Sequence, residues 1–219
     1  WFGPHPGGGL SPAAPPPAPP PPPVRWIVKS LREHASFGLE ADDLLADPSP
    51  AELAAALQAR APRLGGACFA EVFVEGREFN LALLASPGGV EVLPPAEILF
   101  EGFAPGQPRV VGYRAKWDEG SYEYHHPPRR FAFPVADVPL LDGLRDLARR
   151  CWPLFGLSGY ARVDFRVDAA GRPWILEINT NPCIAPDAGF AAALAQAGIG
   201  YDEAVGRILA DAWGLGEGT

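Results

Sequence analysis

The sequence predicts a globular chain of mixed structure, in which antiparallel strands and separate amphipathic helices share a core, and three observations carry that expectation. Two alternating runs, Tyr160 to Asp168 and Trp174 to Thr180, flank the turn-prone Asp-Ala-Ala-Gly-Arg of residues 168–172, the signature of a β-hairpin. Residues 137–156 place Leu140, Leu141, Leu144, Leu147, Cys151 and Leu154 at helical spacing, an apolar stripe that must be buried. At 219 residues, 47% hydrophobic and 20% charged, the chain can bury a sizeable core, as one domain or two small ones.

The hairpin is also the first candidate site. Symmetric closure about Ala170-Gly171 pairs Val167 with Trp174, which sets Asp164 opposite Glu177 and Arg162 opposite Asn179. Side chains alternate faces along a strand, so these four polar groups share one face. Val163, Phe165, Val167, Trp174, Leu176 and Ile178 take the other. Directly opposed carboxylates destabilise a strand pair unless something positive sits between them. Hard oxygen donors without His or Cys favour Mg²⁺ or Ca²⁺ over Zn²⁺.

Charge narrows the partners. A formal net charge of −8 argues against a sequence-independent nucleic-acid binder, which needs a basic face. The sequence has no apolar run long enough to span a bilayer and no signal-peptide pattern, so the expectation is a soluble, cytoplasmic protein with no membrane partner. Cys68, Cys151 and Cys183 are scattered without metal spacing, which fits a reducing compartment. The sequence begins at Trp1 and contains no Met, so a fragment or trimmed product is expected. Of 18 basic residues 16 are Arg, leaving Lys29 and Lys116 as the two lysines. Lys is a compact, mobile charge suited to phosphate, whereas Arg is a rigid fork.

Taken in order, residues 1–23 are dominated by Gly and Pro and favour polyproline II, as a stiff linker or tail. Val24 to Lys29 is a short apolar strand delivering Lys29 at its end. The polar loop that follows, Ser30 to Gly38 with Ser36, could fold over phosphates through backbone N–H groups. Ser49-Pro-Ala-Glu52 opens a helix over 53–60, with a capping box and Pro at the first helical position. Ala67 to Val74 and Arg77 to Leu84 read as strands joined at Glu75-Gly76, with Glu71 and Glu78 bracketing the turn; the plain alternative makes both glutamates solvent-facing strand residues. Short strands over 90–100 break at Pro94-Pro95, and 110–117 carries Lys116 into an aromatic loop. The His125-His126 pair reads as loop, since adjacent residues on a strand face opposite ways. Pro153 should end or kink the 137–156 helix. A loop over 181–189 leads to an Ala-rich helix broken at Gly198-Ile-Gly200, and a last helix over 202–213 is expected to bury Val205, Ile208, Leu209 and Ala212.

Five segments in this order resemble one family: the strand, lysine and loop over 27–38; Glu71-Val-Phe-Val-Glu-Gly-Arg-Glu-Phe79; Ala115-Lys116-Trp117; Arg162-Val-Asp164; and Glu177-Ile-Asn179-Thr-Asn-Pro182. From about Val24 to Trp213 the chain resembles the ATP-grasp superfamily, specifically the D-alanine:D-alanine ligase-like carboxylate–amine ligases. The resemblance implies an α+β fold of two subdomains, each a mainly antiparallel sheet with helices, holding ATP between them. The implied division is 1–23 low complexity, 24–79 and 80–213 as the two subdomains, and 214–219 as tail, the whole being the C-terminal portion of a ligase whose N-terminal domain is not included.

The resemblance also implies roles. Lys29, Ser36 and Lys116 would contact phosphates, Glu71 and the backbone near Val74 would meet adenine, and Glu78 would hold the ribose hydroxyls. Asp164, Glu177 and Asn179 would ligate Mg²⁺ (or Mn²⁺), while Arg162, with Lys116, would stabilise the transferring phosphoryl group. Such transfer depends on positioning and on cancelling charge over several oxygens. The implied substrates are a small carboxylate and an amine, amino acids among them; a homodimer is one assembly open to the chain. Pro182 is followed by Cys183 where D-alanine ligases carry Gly, and Pro186 to Phe190 replaces their Ser-Leu, so a specificity other than D-alanine is expected. Two alternatives stand beside the ligase: a non-catalytic nucleotide-binding module, and an interaction protein whose proline tract docks on an aromatic groove.

Overall fold

The computed structural model describes residues 24–32, 44–100, 109 and 128–214. They fall into two compact units, one of residues up to Val74 with Arg109, the other of residues 75–100 and 128–214.

The first unit contains β1 (Arg25–Ser30), β2 (Leu44–Ala46), α1 (Pro50–Arg60) and β3 (Cys68–Val72), with the strands in the antiparallel order β2-β1-β3. Helix α1 begins as its capping box requires. The Glu52 N–H donates to Ser49 Oγ (3.3 Å), the Ser49 N–H donates back to Glu52 Oε2 (2.8 Å), and Pro50 occupies the first turn, where no N–H is needed. One face of the sheet buries Val28 and Ala70 with Leu64, against Leu53 and Leu57 of α1. Strand β1 runs one residue beyond the expected Lys29, since Ser30 pairs with Cys68 of β3; its buried hydroxyl donates to the Leu64 carbonyl at 2.8 Å.

The second unit is built on a six-stranded antiparallel sheet. Its path is β7 (Arg129–Arg130), β6 (Ala96–Ile98), β4 (Arg77–Ser86), β8 (Tyr160–Val167) and β9 (Pro173–Asn179), with β5 (Gly89–Val92) also paired to β4. The runs on either side of Glu75-Gly76 therefore do not form a hairpin. β3 pairs with β1, whereas β4 lies between β6 and β8 in the other sheet. The expected division at 79/80 would cut through β4, which is continuous from Arg77 to Ser86.

Helix α2 (Val138–Leu154), entered through a 3-10 turn at Val135–Asp137, covers one face of this sheet. Leu141, Leu144, Ala148 and Cys151 pack on Phe79, Leu81, Leu83, Ala161, Val163, Phe165 and Val167, with Leu140 and Leu147 at the margin. Leu154, expected in this stripe, is 75% exposed, at the helix end that Pro153 closes one residue later. On the opposite face, α3 (Gly189–Ala197) and α4 (Tyr201–Ala212) bury Phe190, Ala193, Leu194 and Ala204 against Ala82, Leu84 and Leu93. Helix α3 ends at Gly198 in the left-handed conformation, with the Ile199 N–H donating to the Leu194 carbonyl. Helix α4 is rotated from its expected stripe: Ala204 is buried and Ile208 packs beside it, one turn on, leaving Leu209 and Ala212 exposed. No helix among the described residues is long and apolar enough to cross a membrane.

Candidate functional site

Helices α3 and α4 cover only part of their face of the large sheet. Where β4 and β8 carry Ala82, Leu84 and Tyr160 they pack against it; further along the same strands the residues turn polar. β4 contributes Glu78 and Asn80, β8 contributes Arg162, Asp164 and Arg166, and β9 contributes Glu177 and Asn179. Cross-strand pairing sets Asn80 opposite Asp164 opposite Glu177, and Arg162 opposite Asn179. The expected register of the four hairpin residues is therefore the one formed.

It is formed by a different route. Val167 pairs with Pro173, not Trp174, because Asp168 organises a longer turn: its Oδ1 accepts the N–H groups of Ala170 (2.9 Å) and Arg172 (3.0 Å). A bulge between Asp164 and Phe165 then restores the register toward Asn179. Beyond the bulge the faces of β9 are exchanged. Trp174 lies opposite Arg166, and its indole N–H donates to Asp168 Oδ2 (3.2 Å), so it is not on the apolar face where simple alternation puts it.

Asp164 is buried at the centre of the polar face. Its Oδ1 accepts from Arg162 Nε (2.7 Å) and Asn80 Nδ2 (2.8 Å), and its Oδ2 accepts from Arg162 Nη2 (2.7 Å). The same Nη2 lies 3.8 Å from Glu177 Oε1, so one guanidinium stands between the two opposed carboxylates. Burial pulls the Arg162 pKa down, but the Asp164 hydrogen bonds and the fields of Asp164, Glu177 and Glu78 outweigh it and leave it raised. Asn179 Oδ1 accepts the Asn181 N–H at 2.9 Å. Among the described residues no three His, Cys, Asp or Glu side chains converge as a metal cluster. Two carboxylates on this face flank a positive charge, with the Asn179 carboxamide in register beside Arg162, and hard oxygens of this kind suit Mg²⁺ or Mn²⁺.

Glu78 is also buried and forms an ion pair with Arg166, Oε2 to Nη2 at 2.8 Å. In the first unit Ile27, Lys29, Phe69 and Glu71 share the sheet face opposite the Val28–Ala70 core. Lys29 Nζ and Glu71 Oε1 are 2.5 Å apart there, with both side chains partly exposed. Two residues expected to contact different parts of a ligand are thus bonded to each other. The ammonium keeps three rotatable donors, so this bond and a phosphate contact are compatible. Val74 is half-buried and lies just past the Phe73 N–H to Arg25 carbonyl bond (2.7 Å) that ends the β1–β3 pairing. Ser36, Lys116, the segment 110–117 that carries it and the His125-His126 pair lie outside the described residues.

Asn80 and Arg166 were not singled out by sequence, although the alternation was readable: Asn80 follows Glu78 by two, and Arg166 continues the Arg162, Asp164 series. A second charged group lies on the α2 side of the sheet. Arg77 grips Glu97 (2.8 and 2.9 Å) and Asp137 (2.9 and 2.8 Å), and Arg130 also donates to Glu97. It ties the sheet to the entry of α2.

The family model described as "D-ala D-ala ligase C-terminus" matches residues 23–210. The D-alanine--D-alanine ligase of Halorhodospira halophila is 34% identical over 187 residues, covering 85% of this chain and 54% of the relative. That of Chromohalobacter salexigens is 34% identical over 185 residues, covering 84% and 51%. The chain thus spans about half the length of the curated relatives it matches. Among solved structures, the D-alanyl-alanine synthetase A of Vibrio cholerae superposes with a TM-score of 0.64 at 19% identity, covering 84% of this chain and 51% of that one. The D-alanine--D-alanine ligase of Bacillus anthracis complexed with ATP superposes with a TM-score of 0.57 at 18% identity, covering 88% and 60%. These likenesses establish the fold as the α+β architecture of the ATP-grasp ligases.

Proposed function

The chain belongs to the D-ala D-ala ligase C-terminus family, and from that membership we propose that it is the nucleotide-binding portion of an ATP-dependent carboxylate–amine ligase. In the proposed reaction a substrate carboxylate oxygen attacks the γ-phosphorus of ATP, ADP leaves, and an acyl phosphate forms. An amine nitrogen then attacks the acyl carbon, phosphate departs, the nitrogen loses a proton, and an amide results.

The observation that carries the reading is the Asp164–Arg162–Glu177 arrangement, with Asn179 beside it, on the part of the sheet face that turns polar. Asp164, Glu177 and Asn179 would hold Mg²⁺, which supplies charge cancellation on phosphate oxygens when bound. Arg162, kept protonated, offers a planar fork to the transferring phosphoryl group. Lys29 would contact phosphate, Glu71 and the Val74 backbone adenine, and Glu78 the ribose hydroxyls. Ser36 and Lys116 complete the proposed phosphate contacts. Removing a charge-stabilising group of this kind costs on the order of 10²- to 10³-fold in rate.

The proposed amine acceptor is not D-alanine. The support is the segment leading into α3, where Ala188 supplies no side-chain hydrogen bond to the helix start and Pro186 to Phe190 carries no Ser-Leu. Calorimetric titration with ATP, with and without Mg²⁺, tests the nucleotide reading: binding that requires Mg²⁺ and is lost in Glu177→Gln is expected, and unchanged affinity in that variant sinks it. ADP release with a panel of amino acids tests the ligase reading. Release supported by D-alanine alone would overturn the specificity assignment.

A further inference from the structure

We propose that Arg166 is a positioning residue, which aims the Glu78 carboxylate so that Glu78 can accept the ribose hydroxyls of a bound nucleotide; this rests on the nucleotide reading above. Arg166 is 3% exposed and Glu78 8%, so the pair is removed from water. The two residues face each other directly across β4 and β8, next along the polar face from Asn80 and Asp164. The guanidinium is held from three sides. Nη2 meets Glu78 Oε2 at 2.8 Å, Nη1 donates to the Gly76 carbonyl (3.2 Å), and Cζ lies 5.0 Å from the centre of the Phe100 ring.

Stability alone gives such a pair little reason to exist. A buried ion pair is matched or bettered by apolar residues of similar size. The same two strands show the apolar solution on their other face, where Phe79 pairs with Phe165 and Leu81 with Val163. What the charged pair provides is orientation. A guanidinium held through both terminal nitrogens, with its Cζ over a ring, restricts the direction of its carboxylate partner. An ionised carboxylate accepts at about four lone-pair positions, so it can hold Arg166 and hydroxyl donors together.

The test is calorimetric titration of Mg·ATP and Mg·2′,3′-dideoxy-ATP into the wild-type chain, Arg166→Gln, Glu78→Gln, and the double variant Glu78→Gln with Arg166→Met. The wild type should favour ATP over the dideoxy nucleotide by at least about tenfold, the low end for a hydrogen bond to a charged group. Arg166→Gln should lose that preference while keeping its affinity for dideoxy-ATP. Retention of the preference in folded Arg166→Gln, or equal loss for both nucleotides, overturns the proposal. Should Arg166→Gln fail to fold, the double variant decides, since it leaves no unpaired buried charge. It should bind ATP as Glu78→Gln does, and any further loss shows that Arg166 acts other than through Glu78. Wild-type chain that binds neither nucleotide refutes the underlying reading. Wild type that binds both equally removes the ribose role of Glu78 and this proposal with it.

Discussion

Replacing Asp164 by Ala removes the acceptor on which the polar face is centred. Three hydrogen bonds end on its carboxylate, two from Arg162 and one from Asn80. At roughly 1.5–3 kcal/mol for each bond to a charged group, a simple sum exceeds 4 kcal/mol. That sum is too large here, because the Arg162 side chain is 26% exposed and can recruit water, and Glu177 remains 3.8 Å away. Breaking a buried pair by removing one partner costs about 3–5 kcal/mol, and the lower end fits a partner reached by solvent. A loss of about 3 kcal/mol corresponds to a fall in Tm of about 6–12 °C for a chain of this size. Ligand effects separate this from function. Mg·ATP at about 100 times its Kd should add roughly 2.7 kcal/mol to the wild type and nothing to Asp164→Ala. Differential scanning fluorimetry with Mg·ATP, ATP plus EDTA, and no ligand measures both effects. An Asp164→Ala chain that gains the full wild-type shift from Mg·ATP would refute the assignment; one that melts with the wild type would refute the packing argument.

Two further outcomes follow from local geometry. Gly76→Ala should destabilise by about 2–4 kcal/mol: φ is +149°, and the new Cβ would stand 1.9 Å from the Val167 carbonyl oxygen, a backbone atom that cannot step aside cheaply. Urea unfolding checks this, and an unaltered midpoint would contradict it. Burial pushes the Glu97 carboxyl up, yet the hydrogen bonds from Arg77 and Arg130 outweigh it and leave the group below its ordinary 4.5; the Arg77 hydrogen bonds likewise hold Asp137 below 3.8. Both folded values are depressed, so their stabilisation is complete above about pH 4.5 and is lost as pH falls through the folded values. The Tm gap between wild type and Glu97→Gln should therefore be constant from pH 7 to about 5 and narrow in more acidic buffer. A gap that stays the same at pH 3 would show that the network does not titrate in this way.

Much of the architecture was legible in local pattern, because period and capping chemistry act within a few residues. Ser49, Pro50 and Glu52 announced α1, the leucine spacing announced α2, and alternation placed Arg162, Asp164, Glu177 and Asn179 on one face. The order of the motifs also sufficed for the family. Tertiary structure decided who meets whom. Glu75-Gly76 has the local look of a hairpin turn, and only the competition among strands assigns β3 to one sheet and β4 to the other. The bulge after Asp164 compensates a turn that Asp168 lengthened, and in doing so moves Trp174 to the polar side. Asn80 reaches Asp164 across 84 residues of chain, and Arg166 meets Glu78 through the same strand pairing. Side-chain periodicity states which face a residue occupies; the opposing residue belongs to another segment, and the folding of both into one sheet is what brings them together.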